Sequence, residues 1–249
     1  MFGRKSESGY VWYACYGSNI NFDRFMIYID RCKERGKNGN PPAKIETITI
    51  PYKMYFAKSA KTWGGCGKAF LDATPGSGEA YGRAYLITSD QFEEIKHMEG
   101  KDYQKLLTLP SFDRYPVYTF TDQQTNRSIN LPSSSYYNTI LTGLMDAYKG
   151  KVDRTTLARY LNRCVMSRNQ YYVAREIFKA ERTRGFASIT LRDIAAILNI
   201  DVEAVQTAAR WLEKHNVISQ VADSRYITVE AESARSLIAS MIAAYSSKG

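Results

Sequence analysis

The sequence feature that most constrains the fold is a change of pattern near residue 150. Before it, short β-branched and aromatic stretches alternate with single helical patterns. After it, helical patterns follow one another, with apolar residues at spacings of three and four. The first pattern predicts an α+β domain over residues 1–150, and the second predicts a mostly helical domain over 151–249. Lys149-Gly150-Lys151 is the predicted linker.

In the first domain, the strands and helices are predicted from the alternation of apolar residues and from turn and capping residues. Asn19 or Asn21 is expected to cap one helix, and Thr88-Ser89-Asp90 to cap the next. The second helix should end at Glu99-Gly100. The predicted strands are 10–16, 45–57, 67–71, 80–87, 104–109 and 117–121, and the predicted helices are 22–32, 91–98 and 134–148.

In the second domain, the order helix, helix, turn, helix, hairpin is typical of a winged helix-turn-helix. The hairpin tip falls at 222–224. The predicted helices are 154–165, 169–182, 193–198, 202–215 and 231–245, with a hairpin over 217–229. The last helix has an apolar end, which could dock on its own domain or on a second copy of the chain.

Five residues of the second domain are candidates for contacts with nucleic acid: Gln206, Thr207, Arg210, Lys214 and Arg225. The same surfaces also carry Glu203, Glu213 and Asp223, so the recognition face is only moderately basic. Binding of DNA and binding of a protein partner therefore both stay open.

The positive charge of the chain is concentrated in its middle. Lys and Arg number 34 against 25 Asp and Glu, a net charge of +9. Residues 151–184 alone carry nine basic and three acidic side chains. This excess indicates either an anionic partner near this segment or a solvated basic face.

The cysteine and histidine content argues against several kinds of site. The four cysteines are scattered, which suits free thiols in a reducing compartment. With two histidines, His97 and His215, a zinc site or a Ser-His-Asp triad has few candidates, so acid–base chemistry should depend on a carboxylate. The sequence shows no apolar run near the roughly 20 residues of a membrane helix and no signal peptide, so we expect a cytoplasmic protein.

The most specific local signal is Tyr16-Gly17-Ser18-Asn19, directly after the first strand. A glycine at such a corner lets the backbone turn sharply, so that consecutive N–H groups can point into one concavity. That concavity suits a carboxylate or a developing oxyanion. Four further motifs follow in order: Trp63-Gly64-Gly65, Gly82-Arg83-Ala84-Tyr85-Leu86, Glu99-Gly100 with Tyr103, and Pro132-Ser133-Ser134-Ser135-Tyr136 before Gly143.

In this order, the five motifs resemble those of the γ-glutamylcyclotransferase family, and the resemblance covers about residues 10–147. Arg24-Phe25 and Tyr28-Ile29 resemble a bacterial branch of that family. The resemblance implies a small mixed β-barrel with flanking helices. It implies that Glu99 acts as general base and acid while a γ-glutamyl group closes to 5-oxoproline and releases an amine. The implied substrate is a small γ-glutamyl compound or a γ-glutamyl isopeptide, and no metal or organic cofactor is needed.

Besides Glu99, the resemblance and the motifs give a set of substrate-binding candidates. Several of these residues could have a structural role instead. The tyrosines could be packing residues, and the Trp-Gly-Gly segment could be a turn with an aromatic anchor. Cys15 is expected to be a core residue rather than a nucleophile. The candidates are Tyr16, Gly17, Ser18, Asn19, Trp63, Gly64, Gly65, Tyr103 and Tyr136.

Three functions are consistent with these observations. The first is a γ-glutamylcyclotransferase-like enzyme with a targeting or oligomerising winged helix. The second is a DNA-binding regulator whose first domain senses an amino-acid-like ligand without turnover. The third is an interaction protein with two non-catalytic domains. Glu99 together with the Tyr-Gly-Ser-Asn corner favours the first, because a pure sensor has no need for a carboxylate that moves protons.

Overall fold

The protein is described by a computed structural model over residues 9–111, 113–124, 127–184, 189–222, 225–228 and 232–246. The chain divides into two compact units. The first comprises Met1–Ala57, Ala69–Ser128 and Thr139–Lys151, and the second comprises Lys58–Lys68, Ile129–Asn138 and Val152–Gly249. Two segments of the predicted first domain, 58–68 and 129–138, thus group with the later helices. The assignment of each predicted domain to a family stays a prediction.

The first half of the chain is a mixed α+β structure, as predicted. Its strands and helices are β1 (Tyr10–Cys15), α1 (Phe22–Glu34), β2 (Lys44–Ile50), β3 (Lys53–Ala57), β4 (Lys68–Asp72), β5 (Ala80–Thr88), α2 (Ser89–Glu99), β6 (Lys105–Leu109), β7 (Val117–Thr121) and α3 (Ser134–Ala147). Five strands form one sheet in the order β2-β5-β1-β7-β6. All neighbours are antiparallel except β1 and β7, which run parallel.

The central position of β1 explains its apolar sequence. Because side chains alternate along a strand, Val11, Tyr13 and Cys15 lie on one face, and all three are buried. They belong to a core cluster with apolar residues of α1 and α2, among them Phe25 and Phe92. The two helices are therefore fixed against the same face of the sheet as β1.

One expectation for the strands is corrected, and another, the barrel, is not shown. The single predicted strand 45–57 is two strands, because the chain bends at Pro51, which has no N–H to donate to a ladder. β2 then pairs with β5, whereas β3 pairs with β4 in a separate two-stranded sheet. Among the described residues the larger sheet ends at β2 and β6, so no closed barrel is shown.

The second half is mainly helical. It contains α4 (Arg154–Val165), α5 (Arg168–Arg184), α6 (Leu191–Leu198), α7 (Val202–Lys214), the antiparallel strands β8 (Ile218–Ala222) and β9 (Arg225–Thr228), and α8 (Glu232–Ser246). Asn199 ends α6 in the left-handed region, with φ 51°, and Asp201 caps α7. The hairpin tip predicted at 222–224 includes residues 223 and 224, which lie outside the described residues. None of the helices in the described part of the chain is long and apolar enough to cross a bilayer.

Candidate active site

The carboxylate of Glu99 is held by side chains from two other parts of the first unit. Its Oε1 accepts a hydrogen bond from the Tyr13 hydroxyl at 3.1 Å and one from Asn19 Nδ2 at 3.0 Å. Asn19 Nδ2 also lies 3.5 Å from the Tyr13 hydroxyl. Strand β1, the corner after it and the end of α2 therefore meet at this carboxylate, which is itself half-buried.

Local sequence explains why Glu99 is the last residue of its helix. Thr88 caps α2 in a reciprocal box with Gln91, as expected from the Thr-Ser-Asp segment. Gly100 then has φ 72°, a conformation that favours glycine, so the helix ends there. Because Phe92 and Ile95 bury the middle of α2 in the core, the position of its final carboxylate is fixed.

The predicted corner is a short turn of 3-10 helix over Ser18–Ile20. The carbonyls of Gly17 and Ser18 accept from the N–H groups of Ile20 and Asn21. The N–H groups at the start of such a turn have no earlier carbonyl within it to bond. Asn21, one of the two proposed caps, caps α1 by accepting from the N–H of Arg24.

Three contacts hold this corner in place. The Tyr16 hydroxyl donates to the carbonyl of Phe120 at 2.7 Å, and the Tyr85 hydroxyl donates to the carbonyl of Asn19 at 3.0 Å. Gly143 of α3 packs on the corner so closely that an added Cβ would lie 2.4 Å from the backbone nitrogen of Asn21. The corner is therefore supported by the sheet and by a helix backbone.

Burial keeps the groups next to Glu99 neutral. It raises the pKa of Tyr13 well above its ordinary value, and the charge of Glu99 raises it further, so this hydroxyl remains a donor. The pKa of the Cys15 thiol is also raised, first by burial and then by Glu99. A protonated thiol is a poor nucleophile, which agrees with Cys15 as a core residue.

Such an arrangement can transfer protons. The hydroxyl and the amide that bond this carboxylate orient it, and because both are neutral, neither forms an ion pair with it. It can then accept a proton from a nearby amine and return it. Carboxylates in this role need a fixed direction relative to the substrate, and the two donors supply it.

The other predicted substrate-binding residues make contacts of their own. Trp63, Gly64, Gly65 and Tyr136 belong to the second unit, where the ring of Trp63 packs on that of Tyr136 with centroids 4.7 Å apart. Gly64 and Gly65 have φ 70° and 80°, as expected of a turn. In the first unit, Tyr103 donates to a backbone carbonyl and stacks on a phenylalanine. These contacts are those of packing residues, and a role in substrate binding stays a prediction.

Sequence reasoning missed two residues of the site, Tyr13 and Tyr85. Both lie in strands whose apolar alternation predicts a core, and nothing in that pattern separates a tyrosine that packs from one that donates to a functional group. Their pairing across β1 and β5 at the same register is the feature that brings them to Asn19 and Glu99.

The nucleic-acid candidates of the second unit are only partly described. Gln206, Thr207, Arg210 and Lys214 are all exposed on α7, which buries Val205, Ala208, Ala209 and Leu212 on its other face. Backbone pairing places Arg225 in β9, but its side chain lies outside the described residues.

Comparison with known proteins gives low-identity matches. No protein-family profile matches the chain. A stretch of 100 residues, 36% of the chain, is 28% identical to histone deacetylase 5 of Arabidopsis thaliana and spans 15% of that protein's length. Among solved structures, a gamma-glutamyl cyclotransferase matches at TM-score 0.46 and 17% identity over 62% of this chain and 86% of its own. An uncharacterized protein from Homo sapiens matches at TM-score 0.46 and 15% identity over 63% and 87%.

Proposed function

We propose that the chain is a γ-glutamylcyclotransferase-like enzyme that converts a γ-glutamyl group to 5-oxoproline and releases an amine. The observation that carries this proposal is the hydrogen bond from Asn19, the last residue of the Tyr-Gly-Ser-Asn corner, to the Glu99 carboxylate. Two motifs that are 80 positions apart in sequence, both part of the same family resemblance, thus come together at one group capable of acid–base chemistry.

The reaction needs little more than a folded substrate and one carboxylate. The α-amine of the γ-glutamyl group attacks its own γ-carbonyl carbon, a new C–N bond closes a five-membered ring, and the bond to the leaving amine breaks. Both reacting groups belong to one molecule, so the enzyme mainly enforces the reactive conformation. Glu99 takes a proton from the attacking amine and gives one to the departing amine, so protons balance over the cycle.

The corner and the two donors have separate roles. The N–H groups of Gly17, Ser18 and Asn19 bind the α-carboxylate of the substrate or the oxyanion that forms on the γ-carbonyl. Tyr13 and the Asn19 side chain are positioning groups, since they act through Glu99. Because burial raises the pKa of Tyr13, its hydroxyl stays protonated and keeps donating throughout the reaction.

The experiment is release of 5-oxoproline from a panel of γ-glutamyl amines and dipeptides by the full chain. Loss of the carboxylate in Glu99→Gln should lower kcat by about 10²- to 10⁴-fold, the usual contribution of a general acid–base group. Glu93→Gln is the matched control, because Glu93 lies exposed on the same helix and, among the described residues, forms only a surface ion pair with Lys96 at 3.5 Å. It should retain normal turnover.

A regulator is the second candidate, favoured by the four exposed polar and basic residues of α7. The same panel separates the two functions. Turnover that depends on Glu99 supports the enzyme. If no compound is turned over but one of them raises the melting temperature or changes the affinity for DNA, the regulator is supported and the enzyme is rejected.

A further inference from the structure

A cavity of about 350 Å³ lies in the second unit, among α4, α5 and α8. Its lining is unusual in composition, because three arginines and three tyrosines contribute most of it. These are Arg159, Arg163, Arg168, Tyr171, Tyr172 and Tyr245. The volume falls within the range of small-molecule sites and is close to what one nucleotide occupies.

The three guanidinium groups have no acidic partner within the part of the chain that the structure describes. Arg159 and Arg163 lie one helical turn apart on α4, and Arg168 is the first residue of α5. The three acidic side chains of residues 151–184 are engaged elsewhere: Asp153 with Thr156, Glu176 with Arg175 and Lys179, and Glu181 with Arg235. Three neighbouring cations without a counter-charge form a site that attracts an anion.

The tyrosines add flat surfaces to this charge. Tyr171 stacks on Tyr245 with ring centroids 5.6 Å apart and planes at 25°. The ring of Tyr172 lies under two guanidinium groups, those of Arg168 at 5.5 Å and Arg175 at 4.6 Å. Burial, and then the neighbouring Tyr245, raise the pKa of Tyr171, so its hydroxyl stays protonated. The lining of the cavity thus places aromatic rings beside guanidinium groups, the two kinds of group that bind a flat base and a phosphate.

We propose that this cavity binds a free nucleoside monophosphate. Arginine is the side chain best suited to phosphate, because its planar guanidinium donates two parallel hydrogen bonds. Tyrosine rings bind bases by stacking, as they do in proteins that hold single nucleotides of a strand. The site is a partly open pocket of about one-nucleotide size and not an extended groove, which favours a free nucleotide over a nucleic acid.

The test is calorimetric titration of the full chain with AMP at low ionic strength in a buffer without phosphate. Ribose 5-phosphate and adenosine are titrated separately, to divide the contributions of phosphate and base. Arg163→Gln should weaken AMP binding by about tenfold or more, the effect of losing a hydrogen bond to a charged group. Arg192→Gln, the same change at an exposed position of α6 outside the cavity, should leave the Kd unchanged.

Each outcome decides the proposal. AMP that binds more tightly than both ribose 5-phosphate and adenosine, with loss in Arg163→Gln but not in Arg192→Gln, supports it. Absence of AMP binding at millimolar concentration overturns it, as does binding that neither variant changes. Equal affinity for AMP and ribose 5-phosphate rejects the nucleotide. Displacement of AMP by an oligonucleotide that lacks a terminal phosphate and binds more tightly also rejects a free nucleotide, in favour of a nucleic-acid strand.

Discussion

Each unit of this protein contains one site with charged side chains, and the two sites differ in how that charge is compensated. In the first, one carboxylate, that of Glu99, receives hydrogen bonds from the neutral groups of Tyr13 and Asn19. In the second, guanidinium groups cluster around a cavity with no carboxylate partner among the described residues. A carboxylate oriented by neutral donors can exchange a proton, whereas unpaired cations hold an anion without reacting with it. This difference is the basis for proposing chemistry in the first unit and ligand binding in the second.

The largest effect on stability expected from a single substitution is that of Gly143→Ala. A methyl group at this position would lie 2.4 Å from the backbone nitrogen of Asn21, and backbone atoms cannot rotate away as a flexible side chain can. We expect the free energy of unfolding to fall by about 3 kcal/mol, as for other overpacked sites. The displaced corner should also move Asn19 from Glu99, so turnover should fall in the fraction that remains folded. Urea unfolding and 5-oxoproline release measure the two effects.

Gly9→Ala is the control for this substitution, because an added Cβ at Gly9 meets nothing within 4 Å. It should leave stability and turnover unchanged. If Gly143→Ala were as stable and as active as the parent chain, the close packing of α3 on the corner would be wrong, and with it the account of how Asn19 is held.

Tyr13→Phe is a milder change at the same site. It removes the hydroxyl that donates to Glu99 but keeps the ring, which packs among Phe25, Phe92 and Phe120. We expect kcat to fall by about tenfold with little change in KM, because one hydrogen bond to a charged group is lost and substrate contacts are not.

Tyr118→Phe tests whether such a loss is specific. Tyr118 is a half-buried neighbour of the same aromatic cluster, with its ring 5.5 Å from that of Phe92. Its hydroxyl should be dispensable for turnover. Equal rates in Tyr13→Phe and Tyr118→Phe would mean that Tyr13 only packs and does not orient the carboxylate.

The parts of this site that follow local rules could be predicted from sequence. The corner at Tyr16–Asn19 follows from a glycine after an apolar strand, and the place of Glu99 follows from a capped helix that stops at glycine. The helices of the second half follow in the same way, since caps and apolar spacing are local signals. The Val202–Lys214 helix differs from its predicted range, 202–215, by one residue.

What could not be predicted depends on contacts between distant residues. The run 45–57 has strand-forming residues throughout, and only the pairing of β2 with β5 and of β3 with β4 divides it at Pro51. The role of Tyr13 is likewise set by a helix end 86 positions later. In the second half, the sequence showed the excess of basic residues. It did not show that three of the arginines share a cavity with three tyrosines, because that follows from how α4, α5 and α8 pack.

The smallest effect is expected for Arg159→Gln in the absence of ligand. This variant tests whether the arginines of the cavity lack a counter-charge. Arg159 and Arg163 are like charges at a spacing of four on α4, which destabilises a helix by about 0.2 to 0.5 kcal/mol. Glutamine has nearly the same helix propensity as arginine. We therefore expect Arg159→Gln to be more stable than the parent chain by about 0.3 kcal/mol in urea unfolding at low salt. The gain should shrink at high salt, because exposed charges are screened.

Arg163→Gln removes the same repulsion but also a cation from the last turn of α4, where it interacts favourably with the helix dipole. Its gain should be smaller than that of Arg159→Gln. With AMP present, the parent chain should be more stable than either variant. AMP binds the full arginine cluster of the parent chain and binds the variants more weakly, so it stabilises the parent chain most. An Arg159→Gln variant that is less stable than the parent chain in the absence of ligand would show that this guanidinium already has a stabilising partner. The contrast between a held carboxylate and an uncompensated basic cavity would then fail.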